Sequence, residues 1–172
     1  VQSIAVAFLH SYRDPTHERK AAAAIARAVP GIPVVLSSDV CPEYREYPRT
    51  STAVVNAVLT PKVTPYLTRL EVRLAEMKLA AGLHLMTSSG GIITSSTAKR
   101  LPVTLVESGP AAGVIGAAFV AQQLDDQRVH ARVLALDIGG TTAKAALVND
   151  GAPALADEFE VGAAAMPTTT AG

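Results

Sequence analysis

The residues best suited to chemistry lie in a short glycine-rich segment, Asp137–Thr142. Because glycine has no side chain, Gly139 and Gly140 allow successive backbone N–H groups to line a concavity that binds an anion such as phosphate. Thr141 and Thr142 add hydroxyl donors. The Asp137 carboxylate would repel phosphate directly, so the pattern favours a role in which it holds a magnesium ion through water. An ordinary glycine turn between two strands is the alternative.

The residues after this segment distinguish two kinds of phosphate site. In Rossmann folds and P-loops, the glycine-rich turn opens a helix whose N-terminal amides receive the phosphate. Here Ala143 to Val148 is too short for a helix, and Asp150-Gly151 is a strong signal for a hairpin turn. An apolar run typical of a buried strand, Val133–Leu136, precedes the loop, and Pro153–Val161 can form the returning strand after the hairpin turn. The sequence therefore predicts strand, Gly-Gly-Thr turn, strand, tight turn and strand.

Glu107 is the second candidate for chemistry. It precedes Ser108-Gly-Pro110, which predicts a helix entry because proline is favoured at the first helical position. Its carboxylate has two open roles: an ordinary acid stabilised by the helix dipole, or a group that binds magnesium-bound water or acts as a general base. The helix contains Gly113 and Gly116. Interior glycines cost up to about 1 kcal/mol each relative to alanine, so they indicate that another element packs unusually close to the helix.

A second glycine pair follows a short strand expected at His84–Thr87, in the segment Ser88–Gly91. The backbone at Gly90 and Gly91 can approach a nucleotide or substrate closely. A solvent-exposed turn is the equal alternative.

Three further residues are weaker candidates. Arg45 and Arg49 are interleaved with tyrosines and have the fork geometry that clamps a carboxylate, although a solvated loop is the favoured interpretation. Cys41 has no histidine nearby in sequence to activate it as a nucleophile. The four histidines show no metal-ligand spacing.

The elements that must position these residues follow an α/β pattern. A strand at Ile4–Leu9, a helix from Thr16 to Val29 and a strand at Ile32–Leu36 form the strand-helix-strand unit of a parallel sheet. Further on, Pro61 and Pro65 predict a kinked or broken helix, with Thr60 and Thr64 capping the restarted pieces. The last piece is expected at 65–80.

Composition excludes several classes of protein. With 172 residues, 49% of them hydrophobic, the chain can bury a core. Fifteen basic residues balance fifteen acidic ones, so nucleic acid and anionic membranes are not expected partners. The single cysteine fits a cytoplasmic protein, and no apolar run approaches the roughly 20 residues of a membrane span. The chain starts without methionine, and we interpret both ends as cut edges of a longer protein.

Several segments together resemble one family. Asp137–Lys144 is similar to the second phosphate loop of hydantoinase/oxoprolinase proteins of the hydantoinase A type, which belong to the actin-like ATPase superfamily. Glu107–Gly113 resembles the connecting helix that precedes this loop and packs at the hinge between two lobes, which implies that the helix glycines let this hinge close. Ser88–Ile92 and Tyr44–Ser51 also look like segments of the family, so the resemblance covers most of the chain.

The resemblance implies a partial actin-like ATPase (ribonuclease H-like) α/β fold with a mixed sheet and flanking helices. Residues 1–106 would be the end of the first lobe and a helical or inserted region, and 107–172 the connecting helix and the start of the second lobe. The cofactors would be ATP and Mg²⁺. Asp137 and Glu107 would be catalytic, with Asp137 also holding Mg²⁺, and the nucleotide contacts would be Gly139, Gly140, Thr141, Thr142, Lys144, Gly90 and Gly91.

The implied activity is ATP-dependent opening of a cyclic amide, such as a hydantoin or 5-oxoproline, by phosphorylation of the amide oxygen. A subunit of an ATP-dependent ketone carboxylase and a non-catalytic nucleotide-sensing module are the alternatives. A second hydantoinase-type subunit or domain is the expected partner. Because the superfamily uses two phosphate loops and this chain shows one, the isolated fragment should be inactive. Lys144 stands where many members have an acid, which implies contact with phosphate or solvent.

Overall fold

A computed structural model describes residues 1–79, 81–124, 132–140, 143–154, 158–161 and 166–169. The chain forms two compact units. The first comprises residues 1–84, 94–104 and 157–172, and the second comprises residues 85–93 and 105–156. The domain boundary at 106/107 stays a prediction, because the units are assembled from several segments and do not follow a single cut.

The first unit opens with the strand-helix-strand element expected from the sequence. Strand β1 (Ile4–Val6) pairs in parallel with β2 (Val34–Leu36), and helix α1 (Thr16–Ala28) connects them. Both strands are shorter than predicted. The helix begins where expected, because the Asp14 carboxylate accepts a hydrogen bond from the Thr16 backbone N–H at 3.0 Å.

The longest element is a single helix at the place where the sequence predicts a kinked or broken one, so the break does not occur. A four-residue helix α2 (Ser37–Val40) is followed by α3 (Glu46–Glu76), which continues through both Pro61 and Pro65. The threonine before each proline does not cap a new helix. Thr60 donates its hydroxyl to the Asn56 carbonyl at 2.8 Å, one turn back. Thr64 donates to the Lys99 carbonyl at 3.2 Å, a contact that only the tertiary fold supplies.

The core of the first unit lies between α3 and the parallel strands. It consists of buried Val35, Val40, Ala53, Ala57 and Val103. Helix α4 (Ser95–Arg100) and a 3₁₀ turn (Pro102–Leu105) complete this side. The fully buried Asn56 holds them in place, since its amide donates to the Arg100 carbonyl and accepts from the Val103 N–H, both at 3.1 Å. Strands β8 (Glu158–Val161) and β9 (Met166–Thr169) form an antiparallel pair that packs against α3.

The second unit contains the hairpin predicted around the glycine-rich loop. Strand β3 (His84–Met86) pairs with β4 (Ile92–Thr94), and helix α5 (Ser108–Gln122) follows. Strands β5 (Arg132–Ile138), β6 (Ala143–Asn149) and β7 (Ala152–Pro153) then form an antiparallel meander.

The turn between β6 and β7 has the expected chemistry. Asp150 and Gly151 have positive φ angles of 49° and 77°, as a two-residue hairpin turn of the primed type requires. The returning strand is shorter than predicted. Only Ala152–Pro153 pairs with β6, whereas Glu158–Val161 pairs with β9, and residues 155–157 lie outside the described part of the chain.

No helix in the described ranges is both long enough and apolar enough to cross a membrane.

Candidate functional site

The glycine-rich loop joins two strands, as the sequence predicts. Asp137 lies near the end of β5, Gly139 and Gly140 form the exposed bend, and β6 begins at Ala143 with no helix after the loop. A Cβ atom added at Gly140 would meet nothing within 4 Å, so one side of the bend is open to a ligand. Thr141 and Thr142 lie outside the described residues.

The strand register determines which face carries Asp137. Alternation places Val133, Ala135 and Asp137 of β5 on one face, opposite three residues of β6: Val148, Ala146 and Lys144. Ala135 and Val148 are buried on this face, against which α5 packs. Asp137 and Lys144 therefore lie at the loop end of the face that α5 covers.

Glu107 reaches this end of the hairpin from the start of α5. It precedes the helix in a left-handed conformation, with φ of 64° and ψ of 16°, which is uncommon for a residue other than glycine. Its carboxylate forms an ion pair with the Lys144 ammonium. Two candidates that lie far apart in sequence, one predicted to be catalytic and one to bind nucleotide, are thus in direct contact.

Among the described residues, Asp137 has no ion-pair partner. In the described part of the chain, ion pairs within 4.0 Å join Arg49 to Glu46, Lys99 to Glu71 and Lys144 to Glu107. Lys144 faces Asp137 across the strands but pairs with Glu107. The Asp137 carboxylate is exposed and available to a cation beside the loop. Its roles and those of Glu107, Lys144 and the glycines stay predictions.

The second glycine pair has a packing explanation within the same unit. The Thr87 N–H donates to the Gly91 carbonyl at 2.8 Å, and the Gly91 N–H donates to the Thr87 hydroxyl at 3.1 Å, which closes the turn. Gly90 has a φ of +84°, and a Cβ added there would lie 2.6 Å from Cδ1 of Ile115 in α5. The turn thus needs glycine for its contact with α5, and a ligand contact at Gly90 or Gly91 stays a prediction.

The glycines within α5 differ from the sequence expectation. An added Cβ at Gly109, Gly113 or Gly116 would meet nothing within 4 Å. The close packing contact that these residues predict is therefore absent from the described part of the chain, and they form an open strip along the helix.

Arg49 is neither a substrate clamp nor a residue of a solvated loop. It lies in α3, is 1% exposed, and uses its guanidinium for the protein itself. Nη2 donates to the Phe8 carbonyl at 2.8 Å, Nη1 to the Glu43 carbonyl at 2.9 Å, and Nε to the Ser37 hydroxyl at 3.1 Å. The guanidinium also lies over the Tyr12 ring, 5.6 Å from its centre.

Glu18 is a second buried charge, and the sequence motifs do not mark it as a candidate. Its carboxylate accepts hydrogen bonds from the Ser37 hydroxyl at 2.6 Å, the Phe8 N–H at 2.9 Å and the Ser38 N–H and hydroxyl at 3.0 and 2.7 Å. Although burial raises the pKa of Glu18, these hydrogen bonds outweigh it and lower that pKa to about 2. No sequence signal marks it, because the donors come from distant segments.

The remaining candidates, Arg45, Cys41 and the histidines, are not part of a catalytic or metal-binding arrangement among the described residues. Arg45 is exposed, with a φ of 82° directly before α3. Cys41 is fully buried, so its thiol is not accessible to a substrate. Among the described residues, no group of three or more His, Cys, Asp or Glu side chains is placed to hold a metal.

The chain is a partial α/β domain of the actin-like ATPase fold, as predicted. Three features define this class here: an exposed glycine bend between two antiparallel strands, a carboxylate at the entrance of the bend, and an adjoining helix of small residues. A model of the hydantoinase/oxoprolinase family matches residues 49–170. The chain belongs to this family, which confirms the resemblance seen in its motifs.

Three curated relatives are 34–40% identical to the chain over their aligned residues. An uncharacterised protein of Methanocaldococcus jannaschii is 40% identical over 92% of the chain and 23% of its own length. The alpha subunit of caprolactamase from Pseudomonas jessenii is 34% identical over 83% and 20%. The 5-oxoprolinase of Saccharomyces cerevisiae is 35% identical over 88% and 11%. The chain thus spans between about a tenth and a quarter of these relatives.

Two solved structures share the fold. Nucleotide-free acetone carboxylase matches with a TM-score of 0.74 and 29% identity over 88% of this chain and 21% of its own. The ATP-dependent caprolactamase of Pseudomonas jessenii matches with a TM-score of 0.72 and 33% identity over 86% and 21%. Both are structures of ATP-dependent enzymes.

Proposed function

We propose that this chain supplies one phosphate loop of an ATP-dependent hydrolase that opens cyclic amides. The observation that carries the proposal is the β5–β6 hairpin, in which an open glycine bend lies next to an exposed aspartate. Two relatives support the substrate class, since caprolactamase and 5-oxoprolinase are both named for cyclic amides. The substrate of the complete protein would be a small lactam, hydantoin or 5-oxoproline.

The donor set fits a magnesium nucleotide. Asp137 is a hard oxygen ligand without an ion-pair partner in the described part of the chain, and Mg²⁺ prefers one or two carboxylates together with phosphate oxygens and water. The space beside Gly140 lets phosphate approach the backbone amides. In this assignment Asp137 holds the ion through water, Gly139 and Gly140 bind phosphate, and Thr141 and Thr142 add hydroxyl donors. ATP supplies the phosphoryl group that activates the amide oxygen.

A carboxylase is the second candidate, because the structure of acetone carboxylase shares the fold with a TM-score of 0.74. The same loop would then support phosphorylation of an enolate oxygen. The loop would bind the phosphates of ATP in both reactions, so only the substrate that is phosphorylated distinguishes them.

The complete protein is proposed to act with a second hydantoinase-type subunit or domain in the cytoplasm. Two relatives support the expected partner, because one is the alpha subunit of caprolactamase and another is the beta subunit of acetone carboxylase. The single phosphate loop in this chain also supports it, since a nucleotide site of this class needs a second lobe.

The test of the proposed function is phosphate release by the complete protein. It would be incubated with ATP and Mg²⁺ together with 5-oxoproline, hydantoins, lactams or ketones. We expect release stimulated by one cyclic amide. We expect Asp137→Asn to lower stimulated release at least about a hundredfold, because the amide cannot replace the carboxylate charge that holds the cation.

Asp150→Asn is the matched control, since Asp150 lies in the turn at the opposite end of β6 and asparagine tolerates its positive φ. Full activity in Asp137→Asn would refute the metal role. Stimulation by ketones with bicarbonate would establish the carboxylase instead. Slow release that no substrate alters would favour a nucleotide-sensing module.

A further inference from the structure

Three charged side chains meet at the loop end of the β5–β6 hairpin. Asp137 and Lys144 are directly opposite in the strand register, and Glu107 from the start of α5 forms an ion pair with Lys144. One cation therefore lies between two carboxylates and pairs with one of them. The choice of partner decides whether Asp137 is free.

The alternative partner is close. Side chains directly opposite across an antiparallel pair have Cβ atoms about 4.5–5.5 Å apart, and opposite charges there attract. Lysine has a long, flexible stem whose ammonium can reach more than one acceptor. If the Glu107 charge were removed, Asp137 would be the carboxylate facing Lys144 on its own sheet. An ammonium on Asp137 would compete with any divalent cation for the same oxygens.

Stability alone does not explain the Glu107–Lys144 pair. The side chains of Lys144 and Glu107 are 36% and 49% exposed, and ion pairs this exposed contribute little to stability because water screens them. Glu107 also holds a left-handed backbone conformation, which is unfavourable for a side chain with a Cβ and is typical of functional sites. Glu107 lies directly before α5 in this conformation, and its carboxylate contacts the Lys144 ammonium.

We propose that Glu107 is a positioning residue: its ion pair holds the Lys144 ammonium away from Asp137 and so keeps Asp137 free for the divalent cation of the nucleotide. This rests on the proposed function and adds a role that differs from general-base or metal-water chemistry at Glu107. Lys144 then serves as the movable cation of the site. Its pairing links the start of α5 to the phosphate loop.

The test is a double-mutant cycle in the complete protein, with Mn²⁺ as a spectroscopic substitute for Mg²⁺. Mn²⁺ affinity would be measured by electron paramagnetic resonance, with a non-hydrolysable ATP analogue present, for wild type, Glu107→Gln, Lys144→Gln and the double variant. Glu107→Gln should weaken Mn²⁺ binding about three- to tenfold where Lys144 is present. The same substitution in the Lys144→Gln background should change the affinity less than about twofold.

The cycle cancels any direct contribution of Lys144 to phosphate binding, because that contribution is lost in both members of the second pair. Asp150→Asn controls for general loss of negative charge on the hairpin. An equal loss from Glu107→Gln in both backgrounds would show that Glu107 acts on the cation itself, and no loss in either would show that Lys144 does not move to Asp137. Either result overturns the proposal. Absence of Mn²⁺ and nucleotide binding in wild type would overturn the proposed function together with it.

Discussion

At the level of single residues, two buried opposite charges organise the first unit. Glu18 accepts the Phe8 N–H, and Arg49 donates to the Phe8 carbonyl, so one peptide segment is held by both. The Ser37 hydroxyl links them by donating to Glu18 and accepting from Arg49. Because each charge has several hydrogen-bond partners, burial is tolerated, and loss of either would leave the other inadequately compensated.

Glu18 predicts a specific pH dependence of stability. Its pKa is about 2 in the folded chain against an ordinary value of 4.5, so its contribution is complete above about pH 4.5 and is lost as the pH falls towards 2. The loss should amount to about 3 kcal/mol in the free energy of unfolding. Glu18→Gln should be less stable at pH 7 and should lack this part of the pH dependence in urea unfolding.

Glu76→Gln is the comparison, since Glu76 is exposed at the end of α3, and its stability should stay within about 0.5 kcal/mol of wild type. If Glu18→Gln kept the full acid dependence of wild type, the pH effect would come from other carboxylates.

At the level of elements, two glycines of the second unit have opposite structural roles. Gly90 has a positive φ and a tight approach to Ile115, whereas Gly113 lies in the interior of α5 with open space where a side chain would be. Gly90→Ala should therefore lower the free energy of unfolding by about 1–3 kcal/mol. Gly113→Ala should raise it by about 0.5–1 kcal/mol, since alanine is the better helix former.

Urea unfolding of both variants measures these changes. Ile115→Val in the Gly90→Ala background should recover part of the loss, because it removes the Cδ1 atom that the new methyl group would meet. If Gly113→Ala stabilised the chain but impaired the complete protein, another part of that protein would pack against the glycine strip, as the resemblance to the family's connecting helix implies.

At the level of the whole molecule, the β5–β6 hairpin has two unlike faces. One packs on α5 and buries Val148 completely, while the other exposes more than half of each large side chain: Leu134, Leu136, Ile138 and Leu147. Neighbouring residues of β6 thus differ sharply in environment, which follows from the two-residue repeat of a strand.

A matched pair of threonine substitutions tests this assignment of faces. Val148→Thr puts a hydroxyl into the buried face and should cost about 1–3 kcal/mol in the free energy of unfolding. Leu147→Thr changes a side chain that is 55% exposed, so the cost should stay within about 0.5 kcal/mol. Chemical denaturation of both variants gives the comparison, and equal costs would mean that the strand register is wrong.

Local patterns in the sequence were sufficient for much of the fold and for the character of the site. The Asp-Gly turn, the glycine bend and the short segment between them predict the hairpin, because turn chemistry and strand length act within a few residues. The start of α1 and the parallel β1–α1–β2 unit follow from similarly local signals. Family membership follows from the same motifs, which the match over residues 49–170 confirms.

Only the tertiary structure decided which side chains meet. Arg49 is buried because carbonyls at Phe8 and Glu43 surround it, and α3 continues through its prolines within a helix packed against other elements. Lys144 pairs with Glu107 and not with the aspartate opposite it. The contacts of Arg49 with Phe8 and of Lys144 with Glu107 join residues far apart in the chain, and their energies depend on distances and burial that exist only after folding, so no pattern of neighbouring residues encodes them.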